Sequence, residues 1–169
     1  MVLRQTDAAS ATPILKGARV LILEAPYYAQ ITNPLAEGAL AVVAAAGATA
    51  DRIAVTGALE LPQALAAYVH ADRIGRCAGP GKAYDGAVVL GCIIRGETSH
   101  YDTVANESNR WLMRLAIRHG IPLGNAILTV ETEAQAAARA AGGKANKGGD
   151  AARACLRLIE IERQLGARR

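Results

Sequence analysis

Phenylalanine is absent from this 169-residue chain, tryptophan occurs once, and aromatic residues make up only 4% of the sequence. That scarcity argues against a platform on which single-stranded nucleic acid would stack. The net charge is +4, but Lys and Arg are scattered and the only basic ending is Arg168-Arg169, so no basic stripe marks a nucleic-acid face. A mild positive balance suits small anionic substrates equally well. There are three cysteines and three histidines. Cys77, Cys92 and Cys155 lack metal-ligand spacing, and His70, His100 and His119 are not near them in sequence, so no structural zinc site is expected and the thiols read as free. The longest unbroken apolar run, residues 39–46, falls well short of the roughly 18–20 residues that span a bilayer. Residues 1–12 are polar and lack the basic-then-apolar order of a secretory signal, which leads us to expect a cytoplasmic protein.

Half of the chain is hydrophobic (51%), enough for one globular core. Short β-branched runs alternate with longer alanine-rich stretches, the pattern of βαβ units. Strands are expected at residues 20–25 (VLILEA), 52–55, 87–94 (AVVLGCII) and 126–130. Asn33-Pro34 offers a cap and first-turn proline for a helix that Gly47 ends. Further helices are expected at 60–71, 101–119 (stopped by Gly120), 133–141 and 150–165, the last with Leu156, Ile159 and Leu165 on one side. Residues 74–82 read as a loop and 142–149 as a glycine-rich link. The whole predicts an α/β fold with a four-stranded parallel sheet between two helical layers, its ligand site at the carboxyl ends of the strands. Residues 1–17 read as a flexible N-terminal segment, 18–166 as one domain and 167–169 as a basic tail.

The motifs fall at those strand ends. GCIIRGETSHYD, residues 91–102, runs from a buried strand through Gly96 into a polar turn. Ser99 with Asp102 reads as a capping box, leaving the N–H groups of Gly96, Glu97 and Thr98 for an anion such as phosphate; an ordinary helix cap is the competing reading. His100 sits at this turn, and imidazole is the side chain whose ordinary titration lies nearest neutral pH, so it is the candidate proton carrier. His70 and His119, near helix C-termini, are explained by the helix dipole. Glu60, in GALELP (residues 57–62), lies at another strand-to-helix turn, where dipole complementation is the simpler explanation. Tyr27 and Tyr28 follow the first strand. Arg139 and Lys147, eight residues apart around the glycine-rich stretch, are individually unremarkable surface cations. Gly79-Pro80-Gly81-Lys82 lacks the spacing of a nucleotide phosphate loop, and no nucleophile elbow is present.

Taken in order, Tyr27, GALELP, GCIIRGETSHYD, GNAILTVETEAQAAARA (residues 124–140) and NKG (146–148) resemble the lumazine synthases, from about residue 20 to residue 165, and the alphaproteobacterial members most. The resemblance implies a flavodoxin-like sandwich, a homopentamer or an assembly of pentamers, and an N-terminal segment that adds to a neighbouring subunit's sheet. It implies condensation of a ribitylaminouracil with a phosphorylated dihydroxybutanone, without metal or organic cofactor. It also implies roles: His100 as the catalytic proton carrier; Tyr27 stacked on the pyrimidine; Glu60 on the ribityl hydroxyls; Ala58, Leu59, Cys92, Ile93 and Ile94 at its edges. Gly96, Glu97 and Thr98 with Arg139 would hold the phosphate, and Asn125 and Lys147 would lie on the substrate side.

Relatives commonly carry arginine where Pro26 stands, proline in place of Thr56, and a second aromatic where Leu59 or Asn125 stands. Two further readings stay open on the sequence: a relative that binds lumazine or flavin without turnover, and a shell protein whose assembly is its function.

Overall fold

The computed structural model describes residues 12–76, 78, 82–142 and 146–166. Cys77, the loop glycines Gly79 and Gly81, residues 143–145 of the expected link, residues 1–11 and the 167–169 tail lie outside them. Four strands form the sheet: β1 (Arg19–Glu24), β2 (Thr49–Ala54), β3 (Gly86–Ile94) and β4 (Leu123–Val130). They are all parallel, in the order β2-β1-β3-β4. Five helices connect and flank them: α1 (Ala29–Ala45), α2 (Glu60–His70), α3 (His100–His119), α4 (Glu133–Ala140) and α5 (Lys147–Gly166). The fold is thus the three-layer α/β sandwich that the alternation of periods predicts.

Alternate residues of β1 serve opposite faces, as the strand period requires. Val20 and Ile22 join Leu35, Val43, Leu156 and Ile159 under α1 and α5, whereas Leu21 and Leu23 meet Leu61, Leu65 and Leu112 under α2 and α3. Eight of the nine residues of β3 are buried, which explains why it reads as a continuous apolar run rather than an alternating one. The edge strand β2 is exposed along its length except for a half-buried Ala50. Ahead of β1, Leu15 is buried and its N–H donates to Ala46 O at 2.7 Å.

Three expectations are corrected. Helix α1 does not start at Asn33-Pro34: a 3-10 turn, Pro26–Tyr28, feeds directly into it, and Pro34 lies inside the helix. The missing proline N–H removes one rung, while Pro34 O accepts from Asn146 Nδ2 at 2.9 Å and Thr32 Oγ1 back-bonds to Tyr28 O at 3.2 Å. Helix α5 begins at Lys147, so Gly148 and Gly149 belong to a buried helical turn and not to a link. Leu165 is 61% exposed, and, about two and a half helical turns after Leu156, it faces away from the buried side of Leu156 and Ile159.

Among the described residues no helix is long and apolar enough to cross a membrane.

Candidate active site

In this strand order the crossover leaving β1 runs to one side, to β2, and the crossover leaving β3 runs to the other, to β4, so the crevice between the carboxyl ends of β1 and β3 is where a doubly wound sheet opens. A cavity of about 430 Å³ lies there. Tyr27 and Tyr28 come to it from the turn after β1; Gly57, Ala58, Leu59 and Glu60 from the turn after β2; Cys92, Ile93 and Ile94 from the end of β3; Gly96, Thr98, His100, Tyr101 and Val104 from the next turn and the first turns of α3. Segments about thirty residues apart in sequence therefore meet because each follows a neighbouring parallel strand.

The residues expected here divide into two groups. Tyr27, Ala58, Leu59, Glu60, Cys92, Ile93, Ile94, Gly96, Thr98 and His100 line the cavity. Glu97 is exposed on the same turn without lining it. Asn125, Arg139 and Lys147 are elsewhere: Asn125 and Lys147 border a separate depression of about 340 Å³ beside β4 and α5, and Arg139, exposed on α4, donates to Gln135 O at 2.9 Å. Tyr28, Gly57, Tyr101 and Val104 were missed as lining residues. Val104 carried a signal all the same, since a residue four places after His100 faces the same side of a helix.

The turn after β3 is built differently from the expected cap. Ser99 has helical backbone angles and makes no capping bond through its side chain. Asp102 instead faces Arg95, which donates to it from both Nη1 and Nη2 at 3.3 Å and reaches Glu131 from Nε. The same guanidinium stacks on Tyr101, 4.0 Å from the ring centroid, and its two carboxylate partners hold its pKa above the ordinary arginine value. Arg95 is thereby committed to bracing the turn. Thr98 Oγ1 takes the His100 N–H at 3.4 Å. Among the described residues the N–H groups of Gly96, Glu97 and Thr98 find no acceptor in the protein, and Gly96 has open space beside it. Three unengaged donors thus lie on the turn that leads into the N-terminus of a 20-residue helix, the positive end of its dipole.

Glu60 opens α2, and its Oε2 folds against Gly57: a Cβ there would come within 2.9 Å of it. The small residue is what lets the carboxylate lean over the turn. Tyr27 is 75% exposed and meets Tyr28 edge to face, centroids 5.0 Å apart. Burial, with the neighbouring Tyr27, Cys92 and Glu133, raises the Tyr28 phenol above its ordinary pKa. Burial, helped by the charge of Glu133, pushes the Cys92 thiol up to about 11. The site thus offers an aromatic face, a carboxylate, an imidazole and three unengaged backbone N–H groups around one cavity, with the Cys92 thiol held in its neutral form. Among the described residues no cluster of His, Cys, Asp or Glu is arranged to hold a metal ion.

Residues 17–163 match the family model for 6,7-dimethyl-8-ribityllumazine synthase. The chain is 49% identical over 164 residues to the 6,7-dimethyl-8-ribityllumazine synthase of Azorhizobium caulinodans, covering 97% of this chain and 98% of the relative. It is 51% identical over 166 residues to that of Methylorubrum populi, covering 96% and 95%. To the protein named 6,7-dimethyl-8-ribityllumazine synthase 1 in Rhodopseudomonas palustris it is 50% identical over 151 residues, covering 89% and 90%. With nearly the whole chain matched and the motif turns gathered at one cavity, the protein belongs to the 6,7-dimethyl-8-ribityllumazine synthase family.

Proposed function

We propose that this chain condenses 5-amino-6-(D-ribitylamino)uracil with L-3,4-dihydroxy-2-butanone 4-phosphate to give 6,7-dimethyl-8-ribityllumazine, releasing phosphate and water, as a transferase of riboflavin biosynthesis. The observation that carries it is the convergence of Tyr27, Glu60 and His100 on one cavity beside three unengaged backbone N–H groups.

Each feature answers a need of the reaction. Tyr27 stacks on the flat pyrimidine, and Glu60 accepts hydrogen bonds from the ribityl hydroxyls. Ala58, Leu59, Cys92, Ile93 and Ile94 fit its edges through backbone groups and small or apolar side chains. The amides of Gly96, Glu97 and Thr98 receive the phosphate of the second substrate. His100, at the start of α3, moves protons during imine formation, phosphate elimination and ring closure, help worth about 10² to 10⁴ in rate.

Arg139, Lys147 and Asn125 lie off this cavity, and we assign them to the site of a neighbouring subunit. Arg139 supplies the guanidinium fork for the phosphate. The assembly is a homopentamer, or a set of pentamers, in which the N-terminal segment adds to a neighbour's sheet; the exposed edge strand β2 supports that reading. The described cysteines, Cys92 and Cys155, are free and buried, in keeping with a reducing cytoplasm.

Purified protein given both substrates should form the lumazine, followed by its absorbance. Binding of the pyrimidine without product would make the chain a binding relative instead, and neither binding nor product would overturn the reading.

A further inference from the structure

Tyr27 is the aromatic wall of the cavity, yet little packs against its ring. It is 75% exposed and its neighbour is the edge of Tyr28. Its position is therefore set by the backbone of residues 25–28, and that backbone is held unusually well. The Ala25 N–H donates to Leu90 O at 2.9 Å. The Thr32 hydroxyl lies 3.4 Å from Ala25 O and 3.2 Å from Tyr28 O. Beyond these, one guanidinium brackets the whole segment: Arg52, on β2, donates from Nε to Glu24 Oε1 at 2.8 Å and from Nη2 to Asn33 Oδ1 at 2.9 Å. Glu24 ends β1 just before the segment, and Asn33 lies on α1 just after it.

Glu24 is 6% exposed, and its Oε2 has no hydrogen-bond partner among the described residues. The Glu24 carboxylate is buried with one oxygen unsatisfied while the Arg52 guanidinium stays partly exposed to water, and a pair desolvated on one side and screened on the other is a poor device for stability. What it supplies is geometry, because a planar fork fixes two partners at once. None of the three side chains lines the cavity. We propose that Glu24, Arg52 and Asn33 form a clamp of positioning residues that sets the place of Tyr27, and through it the affinity for the planar substrate. The functional half of this inference rests on the pyrimidine stacking on Tyr27.

The test uses the full chain labelled with 3-fluorotyrosine, the Tyr27 resonance being assigned by its loss in Tyr27→Phe. In Asn33→Ala, Arg52→Gln and Glu24→Gln the ligand-free Tyr27 line should shift or broaden while that of Tyr68, on α2, stays put. Pyrimidine binding should weaken about three- to tenfold, as expected for a displaced contact surface, while the KM for the phosphorylated ketone stays within twofold. In a Tyr27→Ala background Asn33→Ala should cost nothing further. An unmoved Tyr27 line, or the same loss of affinity in both backgrounds, overturns the clamp. Should the Glu24→Gln or Arg52→Gln variant fail to fold, Asn33→Ala decides, because that side chain is exposed. A wild-type protein that makes no lumazine would refute the function, and the fluorine spectrum would still decide the clamp.

Discussion

Cys92 shows how a residue at the centre of a site can be excluded from its chemistry. It lines the cavity, and burial pushes its thiol up to about 11, with Glu133 adding to the effect. At pH 7.5 the thiolate fraction is then about a hundredfold below that of an ordinary thiol. The fold favours the neutral form, so the stability linked to this group is fully present below about pH 9 and is lost as the pH rises from there through about 11. Iodoacetamide at pH 7.5 should therefore label Cys92 at least about tenfold more slowly in the folded protein than in denaturant, read by peptide mass spectrometry. Equal rates would mean that the thiol is neither desolvated nor shielded. At this scale the sequence was legible where the turn motifs and the family resemblance pointed: Tyr27, Glu60 and His100, each at a turn after a strand, all line the cavity. Tyr101 and the partners of Arg95 were not legible, since which carboxylate captures an exposed guanidinium depends on how a turn is folded.

The elements were largely readable from period and punctuation, and two of the misreadings fall where α1 meets α5. Glycine after glycine in residues 142–149 reads as a link, yet Gly148 and Gly149 are buried in the first turn of α5. A Cβ on Gly148 would lie 1.9 Å from Leu35 O, so the residue is small because the backbone of α1 passes there. Sequence alone cannot separate a glycine needed for a turn from one needed for close approach, because both express the same missing side chain. Asn33-Pro34 misled for a related reason: Asn33 serves Arg52 and not the helix start. The energetic consequence can be decided by magnitude. Alanine at position 148 gains at most about 1 kcal/mol in helix propensity, while overpacking against a backbone carbonyl that cannot rotate away costs about 3 kcal/mol. Gly148→Ala should thus lose about 2 kcal/mol in urea unfolding. Gly142→Ala, with nothing within 4 Å, should change stability by less than about 1 kcal/mol. An undisturbed Gly148→Ala would show that the two helices can move apart freely.

At the scale of the whole molecule, the residues assigned to the proposed reaction lie in two separate places on one chain. The cavity gathers the aromatic, the carboxylate and the imidazole, while Arg139 sits on α4, away from it, and Lys147 pairs with Asp150 beside a different depression. A ring in which each subunit shows one face to one neighbour and another face to the next would reunite them, because a heterologous contact brings together two different surfaces of the same chain. Two crippled chains test this. His100→Asn removes the proposed proton carrier, and we expect turnover at least about tenfold lower with pyrimidine binding largely kept. Arg139→Ala should raise mainly the KM for the phosphorylated ketone. Unfolded together and reassembled in equal amounts, they place a chain with intact His100 against a neighbour with intact Arg139 at about one half times one half of the interfaces, about a quarter of the sites. Assayed at limiting phosphorylated ketone, where both parents are poor, the mixture should recover towards that fraction of wild-type activity. Mixed rings seen by native mass spectrometry that stay as poor as their parents would mean that His100 and Arg139 act within one chain, which would then have to bring α4 over its own cavity.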